Sequence, residues 1–282
     1  MTTVQFRNED CLKTIEKIKS KNKKINLVLT SPPYNKSRHS NKSKKMKQME
    51  TYNAMYDGYD DSMDNEEYYQ WQCDVINKID EILIENGVIL YNINYSNENP
   101  DCMWGLIENI RHKTNFMIGD AITWIKKSAL PQNVSHNKLT RRTEYVFVLC
   151  RKSEYKTFTT NKKVTKKNSK GQKYYENIYN VIEAPNNDGS CNLNKATYSS
   201  DLCEKLLNIY ANENTIVYDP FMGTGTTAIA CIKFNENNNN MVCIGSEISE
   251  AQVKFSMERC ESFKKENNMT AKVMTNIKKE EK

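Results

Sequence analysis

Long apolar runs, paired cysteines and proline are all scarce in this sequence of 282 residues, which contains six prolines and nine cysteines. No stretch approaches the roughly 18 consecutive apolar residues that a membrane-spanning helix requires. No Cys-x-x-Cys pair occurs, so the sequence does not support a zinc cage, and the scattered cysteines are typical of reduced thiols. The first residues, MTTVQFRNED, are polar and do not resemble a secretion signal. We therefore expect a soluble protein that is not secreted.

The composition is sufficient for a globular fold. Hydrophobic residues make up 38% of the chain and aromatic residues 10%, which is enough to build a core and excludes a wholly disordered chain. The length suits one large domain, or one domain with a smaller insertion. Lys and Arg number 41 against 35 Asp and Glu, for a net charge of +6. This modest excess permits nucleic-acid binding without requiring it, so the position of the charge matters more than its sum.

Short β-rich runs alternate with helical patterns, which predicts an α/β sheet flanked by helices. Asp64, followed three residues later by Glu67, is a capping pair that predicts a helix start. The fourth and fifth strands are joined only by a loop, so they should pair antiparallel. The predicted strands are Thr3–Phe6, Ile25–Leu29, Gly87–Asn94, Met117–Lys126, Glu144–Cys150, Thr215–Tyr218 and Met241–Gly245. The predicted helices lie near 10–19, 64–85, 101–113, 200–211, 225–234 and 249–267.

Two basic segments do not fit this alternation. Residues 35–63 begin with six basic side chains and end acidic, and residues 151–173 carry nine basic side chains against one acid. A lysine-rich run is often only a solvated loop. In the second segment, aromatic residues are interleaved with the lysines, which favours a surface that follows a phosphate backbone. Those aromatic residues are Tyr155, Phe158, Tyr174 and Tyr175.

The motif Thr-Ser-Pro-Pro-Tyr-Asn at 30–35 directly follows the second predicted strand. Two consecutive prolines fix the backbone and leave carbonyl oxygens as acceptors, and an aromatic ring comes next. Such a turn suits a flat ring whose exocyclic amine donates hydrogen bonds. The alternative is an ordinary Pro-Pro turn after a strand.

The motif Asp-Pro-Phe-Met-Gly-Thr-Gly-Thr-Thr at 219–227 joins a predicted strand to a predicted helix. Glycines at such a turn let the backbone approach a ligand, and the helix N-terminus adds donors. No Lys-Ser/Thr pair follows the glycines, so this is not a Walker P-loop. Glu247 follows the next strand, where a doubly wound fold binds ribose hydroxyls; a solvated helix-start residue is the alternative.

These two motifs together resemble the methyltransferases that modify exocyclic nitrogens of DNA bases. The order, with TSPPY first and DPFxGxGTT near the C-terminus, resembles the β class of S-adenosylmethionine-dependent enzymes. The resemblance extends from about Phe6 to Ser262. It implies a doubly wound, mostly parallel seven-stranded sheet with helices on both faces, the Rossmann-like methyltransferase fold, with a small target-recognition insertion.

The resemblance also implies a set of residues that bind S-adenosylmethionine. Glu247 would bind the ribose hydroxyls, and Asp219 would lie near the amino-acid end of the cofactor. Asp10 would face the adenine amine and Cys11 the adenine ring, although Glu9 stands where the family usually has glycine. The family's His-Pro-x-x-x-Pro pattern is replaced at 195–200 by Lys-Ala-Thr-Tyr-Ser-Ser. The full set is Asp10, Cys11, Thr30, Asp219, Phe221, Gly223, Gly225, Thr226 and Glu247.

The implied catalytic residues are Ser31, Pro32, Pro33 and Tyr34. The Ser31 hydroxyl and the Pro32 carbonyl would accept hydrogen bonds from the amine, while Tyr34 stacks on a base that has left the duplex. Serine before Pro-Pro-Tyr resembles the N4-cytosine enzymes, whereas aspartate resembles the N6-adenine enzymes. A C5-cytosine mechanism is disfavoured, since the nucleophilic cysteine of that mechanism typically follows proline and no Pro-Cys occurs.

The resemblance divides the chain into a catalytic half at 1–150, a target-recognition insertion at 151–190 and a cofactor-binding half at 191–282. Double-stranded DNA is the implied partner; a homodimer and a cognate restriction endonuclease are compatible partners, and no membrane or metal is expected. The implied compartment is the cytoplasm, or the DNA-containing compartment of a host cell if the chain is viral. The implied DNA contacts are Lys36, Arg38, Lys44, Lys45, Arg141, Arg142, Lys162, Lys163, Lys166 and Lys167.

Two alternatives to N4-cytosine methylation stay open. One is an N6-adenine enzyme acting on DNA, or less readily an RNA methyltransferase, with the same pocket. The other is a catalytically idle nucleic-acid-binding module that has kept the fold. The intact Ser31-Pro32-Pro33-Tyr34 and the glycines at 223 and 225 argue against the idle module.

Overall fold

The computed structural model describes residues 1–36, 63–128, 136–188, 197–234 and 240–277. Within these ranges the chain forms eleven strands and six α-helices. The strands are β1 (Thr2–Asn8), β2 (Ile25–Thr30), β3 (Leu83–Ile93), β4 (Phe116–Lys126), β5 (Thr143–Arg151), β6 (Val164–Lys167), β7 (Lys173–Tyr175), β8 (Val181–Ala184), β9 (Ile216–Asp219), β10 (Val242–Glu247) and β11 (Ala271–Thr275). The helices are α1 (Cys11–Ser20), α2 (Asn65–Asp80), α3 (Cys102–Lys113), α4 (Ser200–Tyr210), α5 (Thr226–Phe234) and α6 (Glu250–Glu266).

The main sheet has nine strands in the order β11-β1-β10-β9-β2-β3-β5-β4-β8. All neighbours are parallel except β3 with β5 and β4 with β5, so the predicted antiparallel pairing of β4 and β5 is confirmed. The prediction of seven strands was wrong, because β8 and β11 extend the two edges. Both are short and alternate between buried and exposed residues, so neither has the continuous apolar run of a central strand.

Helices cover both faces of the sheet, which gives the doubly wound arrangement predicted from the sequence. Along β2, Leu27 and Leu29 pack into the core that includes α4, α5 and α6, while Val28 packs into the core that includes α1, α2 and α3. Because both faces of β2 are buried, its sequence INLVLT is almost continuously apolar. None of the helices in the described parts of the chain is long and apolar enough to cross a bilayer.

The helix starts follow local capping chemistry. Asp64 accepts a hydrogen bond from the Glu66 N–H and caps α2, as the sequence predicted. The same helix was expected to run to about residue 85 but ends at Asp80. The segment after it turns back into the sheet instead, where Leu83 pairs with Ile25 at the start of β2.

Residues 151–190 were predicted to form a target-recognition insertion. These residues include a separate two-stranded sheet, β6 with β7, whose residues are all exposed. They also include β8, which pairs parallel with β4 and so belongs to the main sheet. Target recognition by this segment stays a prediction.

Candidate active site

The two sequence motifs meet at the carboxyl edge of the sheet. Their strands, β2 and β9, are parallel neighbours near the middle of the sheet, in the register Val28 with Tyr218. The turn that follows each strand therefore lies beside the other. The Thr30 hydroxyl donates to the Asp219 carboxylate at 2.6 Å, with both residues buried. This bond joins the Pro-Pro turn to the glycine loop.

Asp219 organises the glycine loop from within. Its carboxylate accepts from the Phe221 N–H at 3.0 Å and from the Thr227 hydroxyl at 2.5 Å, in addition to Thr30. Burial raises the pKa of Asp219 from 3.8 to about 6, although these donors oppose the rise. The loop reaches helix α5 through Gly223 and Gly225, whose φ angles of 51° and 83° lie in the left-handed region.

Glu247, at the end of β10, is bound to the same loop. Its two carboxylate oxygens accept from the Gly223 N–H at 3.0 Å and from the Ser249 N–H at 2.8 Å. Burial raises the pKa of Glu247, and these backbone donors partly offset that rise. The parallel pairing of β1 with β10 brings the start of α1, capped by Asp10, to the same edge.

A cavity with about 890 Å³ of empty space, part of it open to solvent, lies between these elements. Six of the nine predicted cofactor residues line it: Asp10, Cys11, Phe221, Gly223, Thr226 and Glu247. The structure does not place the other three, Thr30, Asp219 and Gly225, on the cavity wall. Thr30 and Asp219 are buried beneath the loop and hydrogen bonded to each other, so they support the wall instead.

The Pro-Pro turn closes one end of this cavity with Ser31 and Pro33. The Pro33 carbonyl accepts a hydrogen bond from the buried Tyr68 hydroxyl at 2.6 Å. The Tyr34 hydroxyl lies 3.1 Å from the Ser31 hydroxyl, so the turn is bonded internally as well. Asn35 follows with a φ of 51° and is fully buried. The turn therefore presents a fixed backbone and the Ser31 hydroxyl to the cavity.

Several cavity residues were not identified as site residues from the sequence. Trp71, on α2, lines the cavity, and its ring lies edge-on to Phe221 at 5.6 Å between centroids. Tyr198 and Gln252 also line the cavity. The signal that could have identified Trp71 was its position in the first turns of α2, which begins close to the Pro-Pro turn.

The residues predicted to contact DNA lie in three places. Lys36 extends over the Tyr34 ring, with its Nζ 4.8 Å from the centroid. Arg141 donates to the Tyr95 carbonyl, and Arg142 donates to the Lys126 carbonyl at 3.2 Å, so both guanidiniums have backbone partners. The lysines of the second basic segment, Lys162, Lys163, Lys166 and Lys167, lie at or beside β6. Arg38, Lys44 and Lys45 lie outside the described residues, as do 189–196 with part of the replaced His-Pro-x-x-x-Pro pattern.

No group of three or more His, Cys, Asp or Glu side chains that could hold a metal ion occurs among the residues with described positions. The buried thiol of Cys11, on the cavity wall, has its pKa raised to about 12, chiefly by burial. Cys11 is therefore protonated at neutral pH and presents a small, uncharged surface to a ligand.

A sequence profile described as DNA methylase, for the N6/N4 methyltransferases, matches residues 25–258. The chain belongs to the N6/N4 DNA methylase family. It is 24% identical over 267 residues to the type II methyltransferase M.BglII of Bacillus subtilis, covering 86% of this chain and 66% of that protein. The orphan methyltransferase M.BamHII of Bacillus amyloliquefaciens is 34% identical over 92 residues, or 32% of its length. The chain thus spans less than two thirds of these curated relatives.

A solved structure covers nearly all of the chain. The PvuII DNA methyltransferase, titled cytosine-N4-specific, superposes with a TM-score of 0.62 at 15% identity, covering 97% of this chain and 96% of that one. This N6/N4 DNA methylase therefore shares its fold with a methyltransferase of known structure.

Proposed function

We propose that this chain transfers the methyl group of S-adenosylmethionine to an exocyclic amine of a DNA base. The observation that carries the proposal is the shared cavity, in which Gly223 and Glu247 line one part and Ser31 lines another. Methyl donor and amine would therefore meet in one enclosed space. Positioning of this kind lowers a barrier by several kcal/mol without a metal or a covalent intermediate.

S-adenosylmethionine fits the residues of the cavity wall. Glu247 would offer carboxylate oxygens to the ribose hydroxyls, Asp10 would offer one to the adenine amine, and the Cys11 thiol would contact the ring. Phe221 and Trp71 together would supply an aromatic corner for the adenine. A crystal structure titled as the M1.HpyAVI–SAM complex superposes on 92% of this chain and 99% of that one, with a TM-score of 0.57 at 22% identity, and supports the assignment.

The Pro-Pro turn activates the amine. An exocyclic amine is a poor nucleophile because its lone pair is delocalised into the ring. Hydrogen bonds from the amine to Ser31 and to the Pro32 carbonyl let the nitrogen become pyramidal and recover its lone pair. We assign the backbone acceptor to Pro32 because the Pro33 carbonyl already accepts from Tyr68. The amine held in this way would be placed to attack the methyl group of S-adenosylmethionine bound in the same cavity.

The preferred target is N4 of cytosine. The order of the two motifs along the chain is that of the β class. Ser31 before Pro-Pro-Tyr supports cytosine over adenine, and so does the likeness in fold to the cytosine-N4-specific PvuII enzyme. The relative M.BglII is a type II methyltransferase, which supports a role in a restriction–modification system. Adenine N6 is the alternative target of the same pocket.

Double-stranded DNA is the proposed substrate. The target base must leave the duplex to reach the cavity, at a cost of roughly a few kcal/mol. The exposed lysines at and beside β6, with the exposed rings of Tyr174 and Tyr175, are suited to hold the phosphate backbone meanwhile.

The test is transfer from labelled S-adenosylmethionine to mixed-sequence duplex DNA, followed by nucleoside mass spectrometry. N4-methylcytosine is the expected product. N6-methyladenine would retain the site and overturn the choice of base, whereas cofactor binding without transfer to DNA would overturn the proposed substrate. Ser31→Ala serves as the matched variant, which should lose transfer while still binding DNA.

A further inference from the structure

The Tyr34 hydroxyl lies at the centre of a cluster of side-chain oxygens. It is 3.1 Å from Ser31 Oγ, 3.0 Å from Asn92 Oδ1 and 3.1 Å from Glu144 Oε2. Asn92 lies on β3 and Glu144 on the neighbouring strand β5. The cluster therefore joins the Pro-Pro turn to two strands of the sheet.

Among the described residues, the Tyr34 hydroxyl faces two acceptors with a single proton. The Asn92 amide group donates through Nδ2 to the Tyr145 carbonyl at 3.0 Å, which fixes its orientation and leaves Oδ1 facing Tyr34 as an acceptor. Glu144 forms an ion pair with Lys126 through its other side. A phenol donates a single proton, so Tyr34 cannot satisfy Asn92 and Glu144 at once. One additional proton on Glu144 would satisfy both contacts.

The cluster also connects the cavity with solvent. Ser31 lines the cavity at one end. At the other end the Glu144 and Lys126 side chains are 13% and 22% exposed, so water reaches their outer side. A continuous line of groups thus runs from the cavity through Ser31, Tyr34 and Glu144 to solvent. Neighbouring side chains along this line lie within hydrogen-bond distance of each other.

We propose that Ser31, Tyr34 and Glu144 form a relay that removes the proton released by the amine during methyl transfer, an inference that rests on the proposed function. As the nitrogen–carbon bond forms, the carbon–sulfur bond breaks and its electron pair stays on sulfur. The amine proton passes to Ser31 Oγ, the Ser31 proton to Tyr34 Oη, and the Tyr34 proton to Glu144 Oε2. Glu144 ends as a neutral acid and returns its proton to water, leaving a neutral methylated amine.

Three basic residues surround this relay. Lys126 on β4 is paired with Glu144, and Lys36 extends over the Tyr34 ring. Arg142, next to the first residue of β5, donates to the Lys126 carbonyl at 3.2 Å. Their positive charges favour departure of the proton from the relay to solvent. Glu144 acts on the base through Tyr34 and is therefore a positioning and relay residue.

The test is the pH dependence of single-turnover methyl transfer to DNA by the full chain and by Glu144→Gln and Tyr34→Phe. In the wild type, the rate should fall on the acidic side, because the relay needs a proton acceptor at its outer end. Glu144→Gln should lose that acidic limb and be slower on the plateau by roughly 100-fold, the usual contribution of a positioned proton acceptor. Tyr34→Phe keeps the ring and breaks the relay, so it should be equally slow, and the double variant should be no slower than either single one.

Glu81→Gln is the matched control, because Glu81 is also paired with lysines, Lys19 and Lys78, but lies away from the cavity. Its profile should equal that of the wild type, and all variants should bind S-adenosylmethionine equally in calorimetry. A Glu144→Gln profile identical to the wild type overturns the relay, since glutamine oxygen can still support Tyr34. Additive losses in the double variant also overturn it. A wild-type protein that binds the cofactor but methylates no DNA instead overturns the proposed function.

Discussion

The glycine loop after β9 and the Pro-Pro turn after β2 lie side by side but are built differently. In the glycine loop, Asp219 bonds to Phe221 and Thr227, which are two and eight residues away in sequence. In the Pro-Pro turn, Pro33 and Tyr34 bond to partners much farther along the chain. The separations are 35 residues to Tyr68, 58 to Asn92 and 110 to Glu144.

This difference shows that the two halves of the site depend on different parts of the fold. The glycine loop takes much of its shape from bonds between Asp219 and the loop itself, to which Thr30, Glu247 and Ser256 add contacts from elsewhere in the chain. The Pro-Pro turn is rigid by itself, yet its position depends on side chains from α2, β3 and β5. Substitutions in the loop should therefore act locally on cofactor binding, whereas distant substitutions should act on the turn and on transfer.

The largest effect is expected for Gly225→Ala. An alanine at a φ of 83° costs roughly 1–2 kcal/mol in backbone strain. Its Cβ would also lie 3.0 Å from Ser256 Cβ, and such crowding adds roughly 1–3 kcal/mol. The variant should lose thermal stability and cofactor affinity together, as measured by calorimetry. Gly171→Ala is the matched control, because Gly171 has a φ of 78° with nothing within 4 Å of the added Cβ. Equal losses in both variants would show that crowding against Ser256 plays no part in the loop.

A smaller effect is expected for Asp219→Asn, and it should depend on pH. Because burial raises the pKa of Asp219 above its value in the unfolded chain, the aspartate stabilises the fold most below pH 4, and this contribution is lost as pH rises to about 6. The difference in unfolding free energy, wild type minus variant, should therefore fall by roughly 2 kcal/mol between pH 4 and 7. Urea unfolding across this range measures the difference in unfolding free energy. A difference that does not change with pH would contradict a raised pKa of the buried Asp219 carboxyl.

For the Pro-Pro turn, Tyr68→Phe should test whether the position of the turn, rather than the stability of the fold, sets the rate of methyl transfer. The variant leaves the Pro33 carbonyl without its Tyr68 donor, at a cost of about 1–2 kcal/mol, and should slow methyl transfer while leaving cofactor affinity unchanged. Tyr91→Phe is the control, since it removes another buried hydroxyl, bonded to Gln72 at 2.7 Å, without touching the turn. If both variants slow transfer equally, the turn does not depend on Tyr68 in particular.

The smallest effect is expected outside both motifs, at the β6–β7 sheet. Lys163→Ala and Lys167→Ala should each weaken DNA binding modestly and lower the salt slope, log affinity against log salt, by roughly 0.9 for each phosphate that the variant no longer neutralises. Lys254→Ala, which removes an exposed lysine paired with Glu250 on α6, is the control. Unchanged slopes for both β6 variants would remove this sheet from the DNA interface.

The sequence by itself determined the parts of the protein that depend on interactions between residues close together in the chain. Alternation of apolar runs predicted the central strands, and Asp64 predicted the start of α2, since capping joins groups within one turn. Glycines and prolines at strand ends predicted the two turns, because their effect on the backbone is local. Among the predicted residues that line the cavity, Phe221, Gly223 and Thr226 belong to the glycine loop. The others, Asp10, Cys11 and Glu247, lie after β1 or at the end of β10.

The tertiary structure decided the features that depend on contacts between residues far apart in the chain. The edge strands β8 and β11 carry too few buried residues to be recognised alone, and only the sheet gives them partners. Asp219 was expected on the cavity wall, but the parallel pairing of β2 with β9 places Thr30 against it beneath the loop. Glu144 meets Tyr34 only because β5 folds back beside β3. These two contacts join residues 189 and 110 positions apart, and no local preference of the chain specifies them.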